Sequence, residues 1–308
     1  MLLITEALLL ILATLGQDHR GSAGQIFPLD MAPNSVDDQY KGCIENMKHL
    51  VETTLLEKEK SQSEYEFAKL WEEGVHNAKT PEDNLSKNHS VAVYVYTHSR
   101  PLYQFFNNDV RSQKQKYKDK TFKWYSLHFL LTEAIQILKK TQNRCYFTYR
   151  GTTEEFDKNV LNKEVRFGSF TSSSLYQSVA QNFGTKSCFQ IKTCEGADVS
   201  HYSIFFSEKE VLIPPYEKFK VIAVNTIKGQ SDLWCDTVFI LHSSGTRSDL
   251  NCAVASMEIS TNAPSINFII VFFVIITIII ICYVMYILIR KCYGLDTVRP
   301  YQAFNYQL

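Results

Sequence analysis

Between Phe268 and Ile289 the chain runs without a single charged residue. At about 1.5 Å per helical residue that run is about 33 Å long, which matches a bilayer core of about 30 Å. It predicts a membrane-spanning helix over 268–289, and that helix divides everything else. Arg290 and Lys291 follow at once, so the positive-inside bias places the tail, 290–308, in the cytoplasm and the large preceding part outside. A glycolipid-anchor signal also ends in an apolar run, but there the run closes the chain; the polar tail therefore favours a retained span.

Residues 1 to about 16 contain Leu8-Leu9-Leu10-Ile11-Leu12 followed by small residues, the pattern of a secretory signal. Glu6 departs from it, because a basic residue normally precedes such a run. Cleavage after Gly16 or near Ala23 fits equally well. The expected organisation is a signal over 1–23, an ectodomain over 24–256, a juxtamembrane stalk over 257–267 with Ser260 to Ser265 at its centre, the span over 268–289 and the tail over 290–308. Six cysteines fall outside the membrane: Cys43, Cys145, Cys188, Cys194, Cys235 and Cys252. An oxidising compartment, an even number and spacings that match no zinc pattern make disulfides the expectation. Asn84-Leu-Ser86 and Asn88-His-Ser90 are glycan acceptor signals, expected on a surface loop around Thr80-Pro81. Cys292, just inside the membrane, fits an acylation site. Lys and Arg total 32 and so do Asp and Glu, which leaves no basic field to recommend nucleic acid as a partner.

The ectodomain changes character along its length. Tyr40 to Lys60, Tyr65 to Lys79 and Tyr125 to Lys140 carry apolar residues at helical spacing, most clearly Leu127, Leu130, Leu131, Ile135 and Leu138. Val91 to Thr97 is rich in branched and aromatic residues and reads as a strand or a buried apolar segment of either type. After Cys145 come short strand-like runs: Cys145 to Tyr149, Val165 to Thr171, Cys188 to Thr193, Glu210 to Ile213, Phe219 to Ile227 and Thr237 to Ser243. Helices first and strands later define an α+β domain.

Glu208-Lys209-Glu210 stands at the mouth of an apolar strand that Pro214 and Pro215 end. In an extended chain the two glutamates would share one face while Lys209 points away. Paired carboxylates repel, which suits a site that stabilises a cation or accepts a proton. A solvated turn before a buried strand is the bland reading of the same residues.

Tyr149-Arg150-Gly151, Phe170-Thr171-Ser172-Ser173-Ser174 and Glu208-Lys209-Glu210 occur in that order. Together they resemble the Arg-Ser-Glu signature of the arginine-specific mono-ADP-ribosyltransferases of vertebrate cell surfaces. The resemblance extends to Asp37-Asp38-Gln39-Tyr40, Val165-Arg166-Phe167-Gly168, Phe183-Gly184 and Val211-Leu212-Ile213-Pro214-Pro215-Tyr216-Glu217, covering about residues 30 to 253. It implies a helical N-terminal lobe followed by two small packed sheets. It also implies NAD as substrate, no metal, and transfer of ADP-ribose to arginines of extracellular or membrane proteins, with NAD hydrolysis as the competing outcome. Under it Glu210 is the catalytic carboxylate facing the oxocarbenium-like ribose, and Glu208 orients and deprotonates the acceptor guanidinium. Arg150 holds the diphosphate. Tyr149 and Gly151 flank it in the cofactor site, with Gly151 leaving backbone free to approach the nicotinamide amide. Ser172, with Ser174 behind it, contacts the ribose and positions Glu210, and Phe183 stacks on the nicotinamide ring. The family pairing carries over as Cys43 with Cys252 and Cys145 with Cys194, leaving Cys188 and Cys235 to each other. A surface glycoprotein that keeps the fold without turnover, serving as antigen or adhesion partner, is the alternative. His128 reads as a satisfied or partly exposed histidine of the helical stripe, Trp71 and Trp234 as core residues, and Tyr301-Gln-Ala-Phe304 as an endocytic signal.

Overall fold

The computed structural model describes residues 25–62, 66–98, 100–229, 232–255 and 266–292. The signal, most of the stalk and the cytoplasmic tail with Tyr301 lie outside these residues. The chain divides into two units, residues 1–256 and 257–308.

The first unit opens with a short strand, β1 (Ile26–Phe27), and then a helical lobe. Its first helical run comprises α1 (Ile44–Leu50), a π turn over Val51–Leu55 and α2 (Leu56–Ser61). α3 (Phe67–Asn77), α4 (Lys87–His98), α5 (Arg100–Ser112), the short α6 (Lys114–Lys118) and α7 (Tyr125–Gln142) follow. The stripe read from sequence on α7 is the packed one: Leu127, Leu130, Leu131, Ile135 and Leu138 are all buried. Asn143 in the left-handed conformation, φ 45°, ends that helix and aims the chain at Cys145. The ambiguous segment Val91 to Thr97 is helical and lies within α4. Burial explains the ambiguity, because Val91, Ala92, Val93, Val95 and Tyr96 are enclosed on several sides and leave no polar face for a helical period to show. α4 begins within the loop expected from sequence to carry both glycan signals. The Ser86 hydroxyl accepts the His89 amide at 3.3 Å, as a helix cap does. Asn84 is therefore an exposed turn residue, whereas Asn88 sits in the first turn of α4 and the Ser90 hydroxyl is turned inward onto the Lys79 carbonyl at 2.7 Å.

The sheet half contains β2 (Tyr146–Thr152), β3 (Glu155–Phe156), β4 (Glu164–Val165), β5 (Thr171–Ser174), a one-turn helix α8 (Gln177–Gln181), β6 (Ser187–Thr193), β7 (Ala197–Asp198), β8 (Glu210–Ile213), β9 (Glu217–Thr226) and β10 (Thr237–Thr246). β1 pairs with β3, and the rest form the order β4-β9-β10-β6-β2-β5-β8-β7. That order divides at β2–β5, where one residue pair, Tyr149 with Ser174, continues the ladder. A five-stranded and a three-stranded half thus meet along a seam. The run expected as one strand over Val165 to Thr171 divides between the two halves. Arg166 turns its side chain inward and Gly168 adopts φ +71°, so the chain leaves β4 and re-enters the sheet at β5.

Arg166 joins several of the motifs noted in the sequence. It forms a fully buried ion pair with Asp37 at 2.6 Å and donates to the carbonyls of Met31, Ala32 and Arg247. Asp37 in turn accepts the amides of Asp249 and Leu250. Asp38 accepts from Tyr40, Cys252 and the Tyr117 hydroxyl. The N-terminal segment, the sheet and the C-terminal end of the domain are joined here, beside the Cys43–Cys252 disulfide. The other disulfides are Cys145–Cys194 and Cys188–Cys235.

In the second unit, α9 (Ile266–Cys292) encloses the apolar run, with Arg290 and Lys291 in its last turn. Over Ile270–Cys292 its mean hydropathy is 3.1, and it is exposed on all sides. A helix apolar all round needs lipid or protein about it.

Candidate active site

The seam between the sheet halves opens into a cleft of about 1140 Å³, roofed by α4 and α5. Arg150 on β2, Ser172 on β5 and Glu210, the first residue of β8, all line it, together with Glu208, Tyr149, Gly151, Ser174 and Phe183. The structure therefore brings every site residue expected from sequence into one cavity. Strand register explains how. β5 pairs with β8 so that Ser174 faces Glu210 and Ser172 faces Leu212, which puts the serine face and the glutamate on one side of the ladder. Arg150 Nη1 donates to the Ser172 carbonyl at 2.8 Å, across the seam.

The Glu-Lys-Glu segment differs from the extended arrangement expected of it. Phe206–Glu208 form a 3-10 turn, and Lys209 is left-handed at φ 47°. Alternation holds only for extended chain, and here the turn is fixed by Ser174, whose hydroxyl donates to the Glu208 carbonyl at 2.6 Å and accepts the Tyr176 amide at 3.0 Å. Both carboxylates still face the cleft. Glu210 is buried, and burial pushes its carboxyl above the ordinary value. The hydroxyls of Ser172 and Ser203 and the charge of Arg150 pull it back, while Glu208 adds to the rise. Partial burial also raises Glu208. The Ser174 hydroxyl bonds the loop on both sides and so ties the backbone at Glu208 to β5. Phe183 is an exposed lip residue. A Cβ on Gly151 would collide with the carbonyls of Ala180 and Gly184, which shows how closely the backbone passes there.

Sequence reasoning missed the roof. On α5, Tyr103, Asn107 and Arg111 follow one another at four-residue spacing and face the cleft, beside the buried stripe Leu102, Phe106 and Val110. Asn107 Nδ2 donates to the Tyr96 hydroxyl at 3.1 Å, and that hydroxyl donates to the Phe170 carbonyl at 3.2 Å. Arg111 Nη2 donates to Ser169 Oγ at 3.0 Å. Burial and the nearby Arg150 charge both lower the Arg111 pKa. Burial acts on Arg150 in the same sense but is outweighed by Tyr103, Tyr96 and Glu154, so its net shift is upward. Two guanidiniums therefore share the cleft with the carboxylates of Glu154, Glu208 and Glu210. The double stripe at three- and four-residue spacing was the available signal.

His128 is a satisfied core residue. It is buried between the Tyr40 hydroxyl at Nδ1, 2.8 Å, and the Val36 carbonyl at Nε2, 2.9 Å, and burial lowers its pKa to about 4. Trp71 is in the core, whereas Trp234 is half-buried edge-to-face on Tyr149. Among the described residues, no group of three or more His, Cys, Asp and Glu side chains is arranged to hold a metal ion.

Fold and cleft define an α+β domain with a dinucleotide-sized site between two sheet halves, lined by two arginines and three glutamates. The family model for NAD:arginine ADP-ribosyltransferases matches residues 29–239, and the chain belongs to that family. It is 35% identical over 246 residues to the chicken (Gallus gallus) NAD(P)(+)--arginine ADP-ribosyltransferase 2, spanning 76% of this chain and 75% of the relative. It is also 35% identical over 247 residues to the mouse (Mus musculus) GPI-linked NAD(P)(+)--arginine ADP-ribosyltransferase 1, spanning 73% and 72%. The rat (Rattus norvegicus) ecto-ADP-ribosyltransferase 5 is 34% identical over 273 residues, 83% and 86% of the two chains. Among solved structures, the eukaryotic mono-ADP-ribosyltransferase ART2.2 aligns with a TM-score of 0.61 at 31% identity, covering 73% of this chain and 98% of that one. A variant of ART2.2 in complex with NADH aligns with a TM-score of 0.62 at the same identity and coverage.

Proposed function

We propose that this protein transfers ADP-ribose from NAD to arginine side chains of extracellular or membrane proteins. The observation that carries the reading is the convergence of Arg150, Ser172 and Glu210 on one cleft in a chain of this family. When the bond between ribose C1′ and nicotinamide N1 breaks, its electron pair leaves with nicotinamide and positive charge develops on the sugar. Glu210, held by Ser172 and Ser203, faces that charge. Arg150 and Arg111 hold the diphosphate with their donor forks. Tyr149, Gly151 and Phe183 border the nicotinamide. The acceptor guanidinium nitrogen attacks C1′ and its proton passes to Glu208, because a guanidinium stays charged and unreactive until it loses one. Water reaching the same carbon gives NAD hydrolysis. The relatives named above are transferases, so a fold retained without turnover is not the favoured reading.

The domain organisation read from sequence belongs to the same proposal: a cleaved signal, an extracellular catalytic domain carrying glycans at Asn84 and Asn88, one span and a cytoplasmic tail. Treatment of intact cells with phosphatidylinositol-specific phospholipase leaves such a protein on the membrane, and its release would establish a glycolipid anchor instead. For the chemistry, the full chain in neutral detergent is incubated with labelled NAD and agmatine. Glu210→Gln lowers labelled product at least about a hundredfold, equivalent to about 3 kcal/mol of barrier. Undiminished product would refute the assignment.

A further inference from the structure

A row of side chains crosses the open face of the larger sheet half beside the cleft. Strand register sets it: Phe147 on β2 faces Lys192 on β6, Lys192 faces His242 on β10, and His242 faces Lys220 on β9. Residues opposite one another in a ladder project to the same side of the sheet, so four strands present one row. Their neighbours Tyr146, Ile191, Leu241 and Val221 point to the other side and are buried. At about 4.8 Å between strands the row is about 14 Å long. Phe147 is 65% exposed at one end, and Ile222, which a bulge in β9 leaves without a ladder partner, is 42% exposed beyond Lys220. Tyr149, two residues from Phe147 and on the same face of β2, lines the cleft, so the row begins about 7 Å from the edge of the site.

The charge of the row is one-sided. Its one carboxylate, Glu164 on β4, faces Lys220 and ends it. Lys218 donates to both oxygens of that group, at 3.0 and 3.2 Å, the Ser244 hydroxyl donates at 2.9 Å, and the charge of Lys220 acts on it as well. Lys192 Nζ stands over the Phe147 ring, 5.6 Å from its centre, a contact that orients the ammonium without neutralising it. Lys192, Lys218 and Lys220 together therefore outweigh Glu164, and the face keeps a net positive charge with all of these partners counted.

We infer that this row is an exosite for acceptor proteins that carry an acidic stretch near the target arginine, the stretch lying across Phe147, Lys192, His242 and Lys220 while the arginine enters the cleft. The inference rests on the transfer reading above and adds a class of acceptor to it. A cleft that takes a guanidinium has little by which to tell one arginine-bearing protein from another, so discrimination falls to contacts outside it. About four extended residues cover 14 Å, and carboxylates on them meet a surface of complementary charge. A sulfated polysaccharide fits less well, because an exposed aromatic and an exposed aliphatic side chain flank the cations, the mixed composition of a protein contact.

The test uses the full chain in neutral detergent, with labelled NAD and three acceptors: agmatine, a peptide with one arginine joined through Gly-Ser linkers of graded length to a run of about four glutamates, and the same peptides with glutamines in that run. At low salt the glutamate peptide of best linker length has a KM at least about fivefold below its glutamine counterpart, and the difference closes at about 0.5 M NaCl. Lys192→Gln/Lys220→Gln removes the preference and leaves agmatine turnover and the melting temperature as in wild type. Fluorescence anisotropy of the labelled glutamate peptide without NAD shows the same contrast and needs no turnover. Absence of product with agmatine would therefore refute the transferase reading, whereas equal binding of the glutamate and glutamine peptides would refute the exosite. A preference retained by the double variant, a parallel loss with agmatine, or displacement of the glutamate peptide by heparin at a lower concentration than by unlabelled peptide would also overturn the inference.

Discussion

Arg150 Nη1 donates to the carbonyl oxygen of Ser172 at 2.8 Å, joining β2 to β5 where one residue pair alone continues the ladder. One arm of the guanidinium thus closes the seam, Tyr103 takes a further hydrogen bond, and the remaining donors are left for an anion. Lysine has the charge but not the fork, and it cannot serve both ends. Arg150→Lys is expected to raise KM for NAD about tenfold or more and lower kcat/KM about a hundredfold, with the melting temperature shifted by a few degrees at most. Steady-state kinetics with agmatine checks it, and near wild-type kcat/KM would refute the dual role.

Glu208 and Glu210 are separated by a left-handed Lys209 and face one cleft from different backbone environments. Glu210 is buried and Glu208 half-buried, so the two should fail differently. Glu208→Gln is expected to leave NAD hydrolysis within about threefold of wild type while lowering transfer to agmatine roughly a hundredfold, the usual contribution of a proton acceptor. Glu210→Gln lowers both. The acid limb for transfer should lie above the ordinary glutamate range of about 4.3, because burial raises Glu208 and only its ionised form accepts a proton. Equal losses in both reactions for Glu208→Gln would remove the distinction.

Gly151 follows Arg150 where the backbone passes the carbonyls of Ala180 and Gly184. A methyl group must move one of those carbonyls, and neither belongs to a flexible side chain. Gly151→Ala is expected to lower stability by about 1–3 kcal/mol and to weaken NAD binding more than tenfold, read by thermal unfolding and by equilibrium titration with NAD. Unchanged binding would place the nucleotide away from this strand.

Much of the frame was legible because it rests on local patterns. β8 has the bounds of the run read from sequence, Glu210–Ile213, since a fully buried strand closed by two prolines has few other options. α7 kept its leucine stripe for the same reason. What escaped was tertiary. α4 is enclosed on several sides and lost the polar face that marks a helix, and α5, whose Tyr103, Asn107 and Arg111 roof the cleft, was not read as an element. The Arg166–Asp37 pair was visible only as two motifs, since nothing in either says that they meet in the interior at 2.6 Å. The face shared by Glu208 and Glu210 was misjudged because a serine on a neighbouring strand, not the segment itself, bends the chain.

Glu59 provides a test of the lobe apart from the cleft. Both of its oxygens accept the Ser126 amide, at 2.9 and 3.1 Å, at the start of α7. Burial raises its pKa from 4.5 to about 8, with the hydrogen bonds from the α7 start opposing the rise. Between those values the folded state holds a proton that the unfolded chain releases, so stability falls as pH rises through that window and the loss is complete above about pH 8. Asp38, raised to about 6 chiefly by burial, adds a slope of the same sign at lower pH. Glu59→Gln keeps an acceptor for the amide and has no proton to release. It should therefore melt close to wild type at pH 5 and higher than wild type at pH 8, by an amount corresponding to at most a few kcal/mol. Thermal unfolding of both proteins across this range decides the matter. Parallel curves would mean that the Glu59 carboxyl ionises in the folded lobe as readily as in the unfolded chain.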